Sequence, residues 1–387
     1  MWPPMANVNN RKKQTYMKFN VQSKLLLSHL SAVSKVVNSK NTISILDNFL
    51  FSLEDGRLVV TGSDQETTIT TSVPVTESEG IGKFAVNVRS ILELLKQLPD
   101  LGLEFEIDDD NLAILVRYQN GKYNFIGIDG NEFPQKAPME PDAQTFTVPA
   151  AKFVSGVQHA IFAVGEDTLR PVMMGVYCDI TPDSIAYVAS DTHVLVRYIQ
   201  RNVATGITAS FILPSKPASI LSSVLDKKDG DLKVSFDSKS AVFVSDEYTL
   251  SCRFVNGRYP NYNSVIPTDS PFTASVDRAQ LLNALRRVSV FASSGGQVTL
   301  ELTADQIHLS AQNVDFSTSA DERLSCSYDG TDMVISFNGD NIIDVLNNIP
   351  GDTVLIKLID PARAGLFVPA EQPDGEDLLV LLMPMMV

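Results

Sequence analysis

The residues Ser190, Asp191, Thr192 and His193 are the chain's most suggestive cluster of chemically reactive side chains. A serine, a carboxylate and an imidazole act as a nucleophilic relay only when the three side chains converge on one another. In an extended segment, successive side chains point to opposite faces, so residues this close in sequence cannot form such a relay. A hydrolase that used Asp191 and His193 would need partners that we do not find elsewhere in the sequence. We therefore interpret the segment as structural or ligand-binding.

Other catalytic and metal-binding signatures are also missing from the sequence. There is no phosphate-binding GxxxxGK[ST] loop, no GxGxxG motif after a strand, no HExxH and no GxSxG. The three cysteines form no CxxC pair, and no histidine and cysteine have the spacing of metal ligands. The sequence therefore predicts a protein that is not an enzyme and uses neither a metal ion nor a cofactor.

A repeated unit of about 125 residues positions this segment. A short strand leads into an amphipathic helix at residues 84–99, again at 211–226 and again at 335–350. A second helix precedes each of these, at 21–37, 149–164 and 276–290. A period this long suits a whole domain better than a solenoid unit. The sequence thus predicts an α+β protein with three copies of one domain, which suggests a curved or closed assembly.

Each repeat is predicted to contain two helices and about eight short, mostly antiparallel strands. Alternating runs around Asp55-Gly56 and Asn120-Gly121 are typical of β-hairpins. Proline-rich, polar segments at 130–144 and 258–271 are predicted to be extended linkers. The predicted organisation is a disordered leader at 1–16, followed by domains at 17–136, 137–265 and 266–387, with Met17 beginning the first strand.

Charge is distributed unevenly along the chain. The formal net charge is −15 at pH 7, which by itself argues against a polyanionic partner. The six predicted helices nevertheless carry a net positive charge, and the remainder of the chain is strongly acidic. Cationic helices on an acidic body are either a surface for nucleic acid or ordinary solvated helix faces.

The last eleven residues, 377–387, combine apolar side chains with one proline. Their first half is predicted to be a core strand, which Pro384 ends because proline cannot donate a ladder hydrogen bond. The methionines beyond it would face solvent unless they line a site, and methionine-rich surfaces adapt to several peptide partners.

The sequence resembles the bacterial β sliding clamp family, the processivity subunits of DNA polymerase III, from Met17 to Val387. The resemblance is carried by MKFNV at 17–21, ASDTHVLV at 189–196, NGRYPNY at 256–262 and LMPM at 382–385. It implies a head-to-tail homodimer of six domains, with an inner wall of helices around double-stranded DNA and an outer wall of β-sheet. It also implies a cytoplasmic replication protein that tethers DNA polymerase III and binds the clamp loader and other partners through short peptide motifs.

Site residues follow from the same resemblance. Lys40 aligns with a DNA-contacting arginine of the family, and the other expected DNA contacts are Lys24, Lys96, Lys122, Lys152, Lys216, Arg278, Arg286 and Arg287. The expected peptide pocket consists of Met173, Ser190, Thr192, His193, Leu195, Pro260, Val265, Asn338, Leu381, Leu382, Met383, Pro384 and Met385. The expected dimer interface brings Tyr123 against Val290 and Phe291 of the partner. The chain departs from the family pattern at Thr192, usually glycine, and at Val194, Ser264, Asn341 and Met386.

The alternative hypothesis is a triplicated β-rich scaffold that binds proteins or carbohydrates and does not encircle DNA. The two hypotheses differ in where the helix cations lie. A clamp requires them on one concave surface, whereas a scaffold would scatter them over the outside.

Overall fold

The structure is a computed structural model that describes residues 16–38, 41–54, 56–136, 138–226 and 229–385. The chain divides into two compact units. Unit 1 contains the described residues of 1–144 and 235–252, and unit 2 those of 145–234 and 253–387. Leader residues 1–15, together with Lys40, Asp55 and Met386, lie outside the described residues.

The secondary structure repeats three times along the chain. The helices are α1 (Ser23–Val33), α2 (Val88–Gln97), α3 (Ala150–Ile161), α4 (Ser215–Val224), α5 (Arg278–Val288) and α6 (Gly339–Asn348). Short 3₁₀ helices lie at Ser34–Val36, Ser44–Asp47, Gly130–Glu132, Pro171–Met173, Tyr262–Ser264 and Ser289–Phe291.

The strands of the first repeat are β1 (Tyr16–Gln22), β2 (Asn48–Glu54), β3 (Arg57–Ser63), β4 (Thr67–Pro74), β5 (Thr76–Glu79), β6 (Gly82–Asn87), β7 (Gly102–Asp108), β8 (Ala113–Tyr118), β9 (Gly121–Ile126) and β10 (Ile128–Asp129). Those of the second are β11 (Gln144–Pro149), β12 (Gly175–Thr181), β13 (Ser184–Ser190), β14 (Val194–Arg201), β15 (Ala209–Pro214), β16 (Asp231–Phe236), β17 (Ser240–Val244) and β18 (Tyr248–Arg253). Those of the third are β19 (Phe272–Asp277), β20 (Gln297–Thr303), β21 (Gln306–Asn313), β22 (Thr318–Ser325), β23 (Ser327–Tyr328), β24 (Met333–Asn338), β25 (Thr353–Leu358), β26 (Gly365–Pro369) and β27 (Glu376–Leu382).

Antiparallel sheets and paired helices make up both units. In unit 1, one sheet has the order β5-β1-β7-β8-β9, and another runs β10-β6-β2-β3-β4-β18-β17. In unit 2, a nine-stranded sheet has the order β15-β12-β13-β14-β27-β26-β25-β19-β23, and a smaller one runs β22-β21-β20-β24. The two helices of each repeat pack together, α1 on α2, α3 on α4 and α5 on α6. The predicted α+β repeat architecture is confirmed.

The start of the chain differs in detail from the prediction. Tyr16, assigned to the leader, belongs to β1, and its hydroxyl donates to Glu79 at 3.0 Å. The first predicted helix begins two residues later than expected because Val21 and Gln22 continue β1, opposite Leu103 and Gly102. Its last turn is 3₁₀, at Ser34–Val36.

The two predicted linkers are anchored by buried aromatic side chains. Phe133 packs in unit 1 against a cluster that includes Ile45 and Ala85. In unit 2, Tyr259 and Tyr262 belong to a larger apolar cluster. Polar, proline-rich composition predicted extended segments, but these aromatic residues bury apolar surface and attach the linkers to the sheets.

Candidate functional site

The Ser190–His193 segment is a tight turn between β13 and β14. The Ser190 hydroxyl donates to the Val194 carbonyl at 2.8 Å and accepts from the Thr192 amide at 3.1 Å. One Asp191 carboxylate oxygen accepts from the amides of His193 and Val194, at 2.8 and 2.7 Å. The serine and the aspartate are therefore occupied by backbone groups, as in an Asx-type turn.

The first repeat contains the same turn between β3 and β4. Ser63 donates to the Thr67 carbonyl at 3.1 Å, and Asp64 accepts from the Thr67 amide at 2.7 Å. The central residue has positive φ in both turns, +81° at Gln65 and +87° at Thr192. The sequences GSDQET at 62–67 and ASDTHV at 189–194 are similar, and this similarity could have predicted the repeated turn, although our sequence analysis did not use it.

The chain's C-terminal strand lies directly beside this turn. Val194 is opposite Leu382 in the β14–β27 ladder, and the Met383 amide donates to the His193 carbonyl at 2.8 Å. Further along, the Met385 amide donates to the Ser336 carbonyl at 2.8 Å, which fixes the tail against β24. Met383 is 44% exposed, so the tail presents apolar surface next to the turn.

Met173 lies close to the same turn, next to Gly165. Its carbonyl accepts from the Gly165 amide at 2.9 Å. A Cβ placed on Gly165 would lie 3.4 Å from both the Asp191 Cα and the Met173 Cβ. The structure thus brings together Met173, the Ser190–His193 turn and the segment Leu382–Met385, all within unit 2.

The other predicted pocket residues differ in burial, from the buried Leu195 and Leu381 to the exposed Pro260 and Val265. Leu195 and Leu381 belong to the apolar cluster that contains Tyr259 and Tyr262. Pro260 and Val265 flank these tyrosines in sequence and are exposed. Asn338 caps α6, since its side-chain oxygen accepts from the amides of Asp340 and Asn341 at 3.0 and 3.1 Å.

Three tyrosines that our sequence analysis did not single out take part in this cluster. The Tyr177 and Tyr259 rings are stacked with centroids 4.7 Å apart, and the Tyr262 hydroxyl donates to Asp179 at 2.9 Å. Burial, reinforced by this hydrogen bond, raises the pKa of Tyr262 to about 12. Ring stacking and this hydrogen bond therefore join the second predicted linker to β12.

The predicted DNA-contacting cations have different environments. Lys24, Lys96 and Lys152 are exposed on α1, α2 and α3 and have no ion-pair partner among the described residues. Lys216 is half-buried on α4.

The arginines of α5 are bound within unit 2. Arg278 donates to the carbonyls of Gly351 and Leu346 at 2.6 and 3.0 Å. Arg286 donates to Asn347 at 2.9 Å, and Arg287 makes a bidentate ion pair with Glu322 at 2.6 and 2.8 Å.

Lys122 does not lie with the helix cations. It is opposite Arg117 in the β8–β9 ladder, and Arg117 forms ion pairs with Glu104 and Glu106. Arg117 alternates along β8 with the buried Val116, so this face of the sheet is the one turned away from the core.

The predicted dimer-interface residues lie on an edge strand of unit 1 and on a 3₁₀ helix beside an edge strand of unit 2. Tyr123 lies on β9, the outer strand of its sheet in unit 1, and stacks on Tyr118 with ring centroids 5.9 Å apart. Val290 and Phe291 are exposed on the 3₁₀ helix Ser289–Phe291, which packs beside β21 and β22 in unit 2. β22 is the outer strand of its own sheet.

The described residues contain no group of three or more histidine, cysteine, aspartate or glutamate side chains placed to hold a metal ion. Within the same residues, no helix combines the length and apolar character that crossing a membrane requires.

Comparison with known proteins gives consistent matches along the chain. The N-terminal, central and C-terminal domain models of the DNA polymerase III beta subunit match residues 17–137, 147–261 and 263–386. The beta sliding clamp of Salmonella typhimurium is 26% identical over 370 residues, covering 95% of this chain and all of the relative. The beta sliding clamp of Bacillus subtilis is 24% identical over 379 residues, covering 95% of this chain and 99% of the relative.

Solved structures agree with these matches. The DNA polymerase III beta subunit of Thermotoga maritima has a TM-score of 0.88 at 26% identity, with 96% of this chain and all of that chain covered. The sliding clamp of Bartonella birtlesii, solved with bound griselimycin, has a TM-score of 0.90 at 25% identity and the same coverage. The resemblance inferred from the sequence is confirmed: the chain belongs to the DNA polymerase III beta subunit family.

Proposed function

We propose that this protein is a sliding clamp: a head-to-tail homodimeric ring that encircles double-stranded DNA and docks replication partners. The observation that carries the proposal is the pairing of strands between consecutive repeats. The last long strand of the second repeat, β18, pairs with β4, the fourth strand of the first, and β27 pairs in the same way with β14. The equivalent strands left over are β22 and β9, and each is the outer strand of its sheet.

The same pattern of pairing between consecutive repeats predicts that β22 pairs with β9 of a second copy. Two such contacts close a ring of six repeats, as a heterologous interface does when its rotation closes. Closure would also remove two open sheet edges from each chain, which otherwise invite aggregation.

The register of this contact follows from the strand pairs within the chain. In β14–β27, Val194 is opposite Leu382. By position in their sheets, Thr318 is equivalent to Val194 and Phe125 is equivalent to Leu382. Thr318 should therefore lie opposite Phe125 of the partner copy.

The same register places Asp321 opposite Lys122 of the second copy. Opposite charges at directly opposed positions stabilise an antiparallel pair, whereas Lys122 faces the like charge of Arg117 within its own chain. We therefore assign Lys122 to the dimer interface rather than to DNA.

For DNA we retain the exposed cations Lys24, Lys96 and Lys152, while Lys40 stays a prediction. Diffuse contacts between cationic side chains and phosphates hold a duplex without preferring any register, because phosphates carry no sequence information. A ring that binds in this way is free to slide. Arg287, paired with Glu322, should contribute little to this attraction.

The apolar surface of Met173, the Ser190–His193 turn and Leu382–Met385 is proposed as the docking site for peptide motifs of the polymerase catalytic subunit, the clamp loader and other partners. Burying one Leu or Phe anchor there would contribute about 1.5–3 kcal/mol. One or two anchors give an affinity low enough for partners to exchange. In this role the protein acts in the cytoplasm as a binding platform without catalysis of its own.

Disulfide cross-linking at the register tests the ring. Ser319→Cys and Asn124→Cys are opposed in the proposed pairing, and both native side chains are exposed. The pair should be made in a Cys326→Ser background, because Cys326 is partly accessible whereas Cys178 and Cys252 are buried. Oxidation should give a covalent dimer, and Asp321→Cys with Asn124→Cys, two residues out of register, should cross-link far less. Equal cross-linking of both pairs, or of neither, would contradict the proposed pairing.

A further inference from the structure

The charge of residues 1–15 is opposite in sign to that of the protein as a whole. They include the basic run Arg11–Lys13 and contain no aspartate or glutamate, whereas the chain has a formal net charge of −15. The same segment contains Trp2, the single tryptophan of the chain. It precedes the part that matches the family, since the N-terminal domain model begins at residue 17. A role for this segment would therefore be additional to what the chain shares with its relatives.

The segment joins unit 1 at an acidic sheet face, the face of β5, β1 and β7 that carries Tyr16, Glu79, Glu106 and Asp108. Tyr16 lies opposite Asp108 of β7, and its hydroxyl donates to Glu79 of β5 at 3.0 Å. This hydrogen bond and the negative charges of Glu79 and Glu106 raise the pKa of the Tyr16 phenol. An extended chain keeps all of Arg11–Lys13 within about 18 Å of Tyr16, so the basic run can reach these carboxylates.

The two cations nearest to Tyr16 on the same face are already engaged. Lys18 forms an ion pair with Glu104 at 2.8 Å, and Arg117 pairs with Glu104 and Glu106 at 3.2 and 2.6 Å. The hairpin that follows β7, Asp108–Asp110, adds further negative charge at the Tyr16 end. Carboxylates therefore outnumber cations where the segment is attached.

The same face leads along β1 to a groove of about 610 Å³. Its lining includes the polar residues Asn20, Gln22 and Arg117 and the apolar residues Leu25 and Pro74. The Oδ1 atom of Asn20 is buried and has no hydrogen-bond partner among the described residues. Buried acceptors are normally paired, so this one calls for a donor that the described part of the chain does not supply.

We propose that the acidic face and its groove are the docking surface for residues 1–15 of the same chain. Arg11–Lys13 lie against the carboxylates around Tyr16, and Trp2 occupies the groove. The docked segment also covers β5, which is the outer strand of its sheet and would otherwise be an open edge. The proposal goes beyond the clamp function, because it uses no residue assigned to DNA, to the dimer interface or to partner docking.

The distances and the chemistry of the groove suit this occupant. Gln22 is six residues along β1 from Tyr16, which is about 20 Å. Trp2 is fourteen residues before Tyr16, so an extended chain covers this distance. An indole buries a large apolar area, here against Leu25, and its N–H supplies a donor for Asn20.

Duplex DNA is the competing partner for the basic run. The surroundings of Tyr16 favour the chain's own face, because carboxylates attract the run and repel a phosphate backbone. The attraction should weaken in high salt, since exposed charges are screened beyond about 3 Å at about 1 M ionic strength.

Acrylamide quenching of tryptophan fluorescence in the full-length protein tests the proposal, because only Trp2 contributes to the signal. The reference is a free peptide of residues 1–15, in which the indole is accessible. We expect the Stern–Volmer constant of the protein to be several times smaller than that of the peptide, and to rise towards it in high salt.

Two variants test the two halves of the docking surface. Leu25→Ser removes apolar lining from the groove, and Lys12→Glu with Lys13→Glu reverses two charges of the basic run without altering any described residue. Each should raise the quenching constant towards that of the peptide. Val244→Ser is the matched control for Leu25→Ser, since the two side chains are 38% and 36% exposed and Val244 lies on β17 of another sheet. It should leave the constant unchanged.

Three results would overturn the proposal. Quenching of the wild-type protein equal to that of the free peptide would show that the segment does not dock. Protection that both Leu25→Ser and the charge-reversed variant retain would place the segment on another surface. Protection that appears only when a duplex oligonucleotide is added would assign the basic run to DNA.

Discussion

Replacing Thr192 by glycine should stabilise the protein. Thr192 has a φ of +87°, where the Cβ of an L residue crowds the backbone and a β-branched side chain is strained. The resemblance to the clamp family makes glycine the usual residue at this position. Strain at a left-handed residue costs about 1–2 kcal/mol, and the freedom that glycine gains in the unfolded chain offsets about 0.5–1 kcal/mol of the relief. Thr192→Gly should therefore raise the free energy of unfolding by about 0.5–1 kcal/mol.

The hydrogen bonds of the turn should survive this change. The Thr192 amide bonds to Ser190, and Asp191 accepts from the two following amides, so none of these bonds uses the threonine side chain. The measurement is the urea midpoint and the melting temperature, and we expect a rise of about 1–4 °C. Gln65→Gly, at φ +81° in the equivalent turn, should give a smaller gain because glutamine is not β-branched.

Thr208→Gly is the opposing control. Thr208 is exposed and is not among the residues with positive φ, so glycine there should only increase the entropy of the unfolded chain and lower stability. If Thr192→Gly lowers the midpoint as Thr208→Gly does, the strain argument is wrong.

Three further perturbations test the site and its surroundings. Met383→Ala should weaken binding of a partner peptide about tenfold, measured by calorimetry, with little effect on the melting temperature. Leu381→Ala, at a 4% exposed core position, should instead lower the free energy of unfolding by about 2–5 kcal/mol, measured by urea titration. A larger loss of stability in Met383→Ala than in Leu381→Ala would contradict this assignment. Lys24→Glu with Lys152→Glu removes four cations from a homodimer, so the plot of log affinity for DNA against log salt should become less steep by about 2–4. Lys233→Glu, at an exposed lysine on a strand, should leave this slope unchanged. The hydrogen bond from Arg287 lowers the pKa of Glu322, so the ion pair stabilises the fold above the ordinary glutamate pKa and is lost as pH falls through the lowered value. Glu322→Gln should therefore reduce the loss of unfolding free energy, measured by urea titration, as pH falls from about 5 to 3, by less than about 1 kcal/mol. Equal acid profiles in wild type and Glu322→Gln would disprove the contribution.

The repeat architecture was readable from the sequence because its signals are local. Helix periodicity and the strand before each second helix set the positions of α2, α4 and α6 without any tertiary information. The Asn338 cap of α6 is a further local signal. The start of α1 was misplaced because Val21 continues β1 opposite Leu103, and that pairing joins residues far apart in sequence.

The binding partners of individual charged side chains could not be predicted in the same way. The sequence analysis interpreted Arg287 and Lys152 in the same way, as helix cations, yet Arg287 is bound by Glu322, which lies 35 residues further along the chain on β22. The sequence analysis grouped Lys122 with the helix cations, but the β8–β9 ladder places it opposite Arg117, on the sheet face turned away from the core. Partners of this kind depend on sheet register, which one sequence does not display.

The central claim is that the protein is linked to DNA topologically, and retention on closed and linear DNA tests it most directly. The Ser319→Cys and Asn124→Cys variant should be loaded on nicked circular plasmid with a cognate clamp loader and ATP, oxidised, and passed over a sizing column in high salt. We predict that it stays on the circle and is released when the plasmid is linearised, because a closed ring leaves only over an end. Release from the circle and the linear form at the same rate would contradict the account.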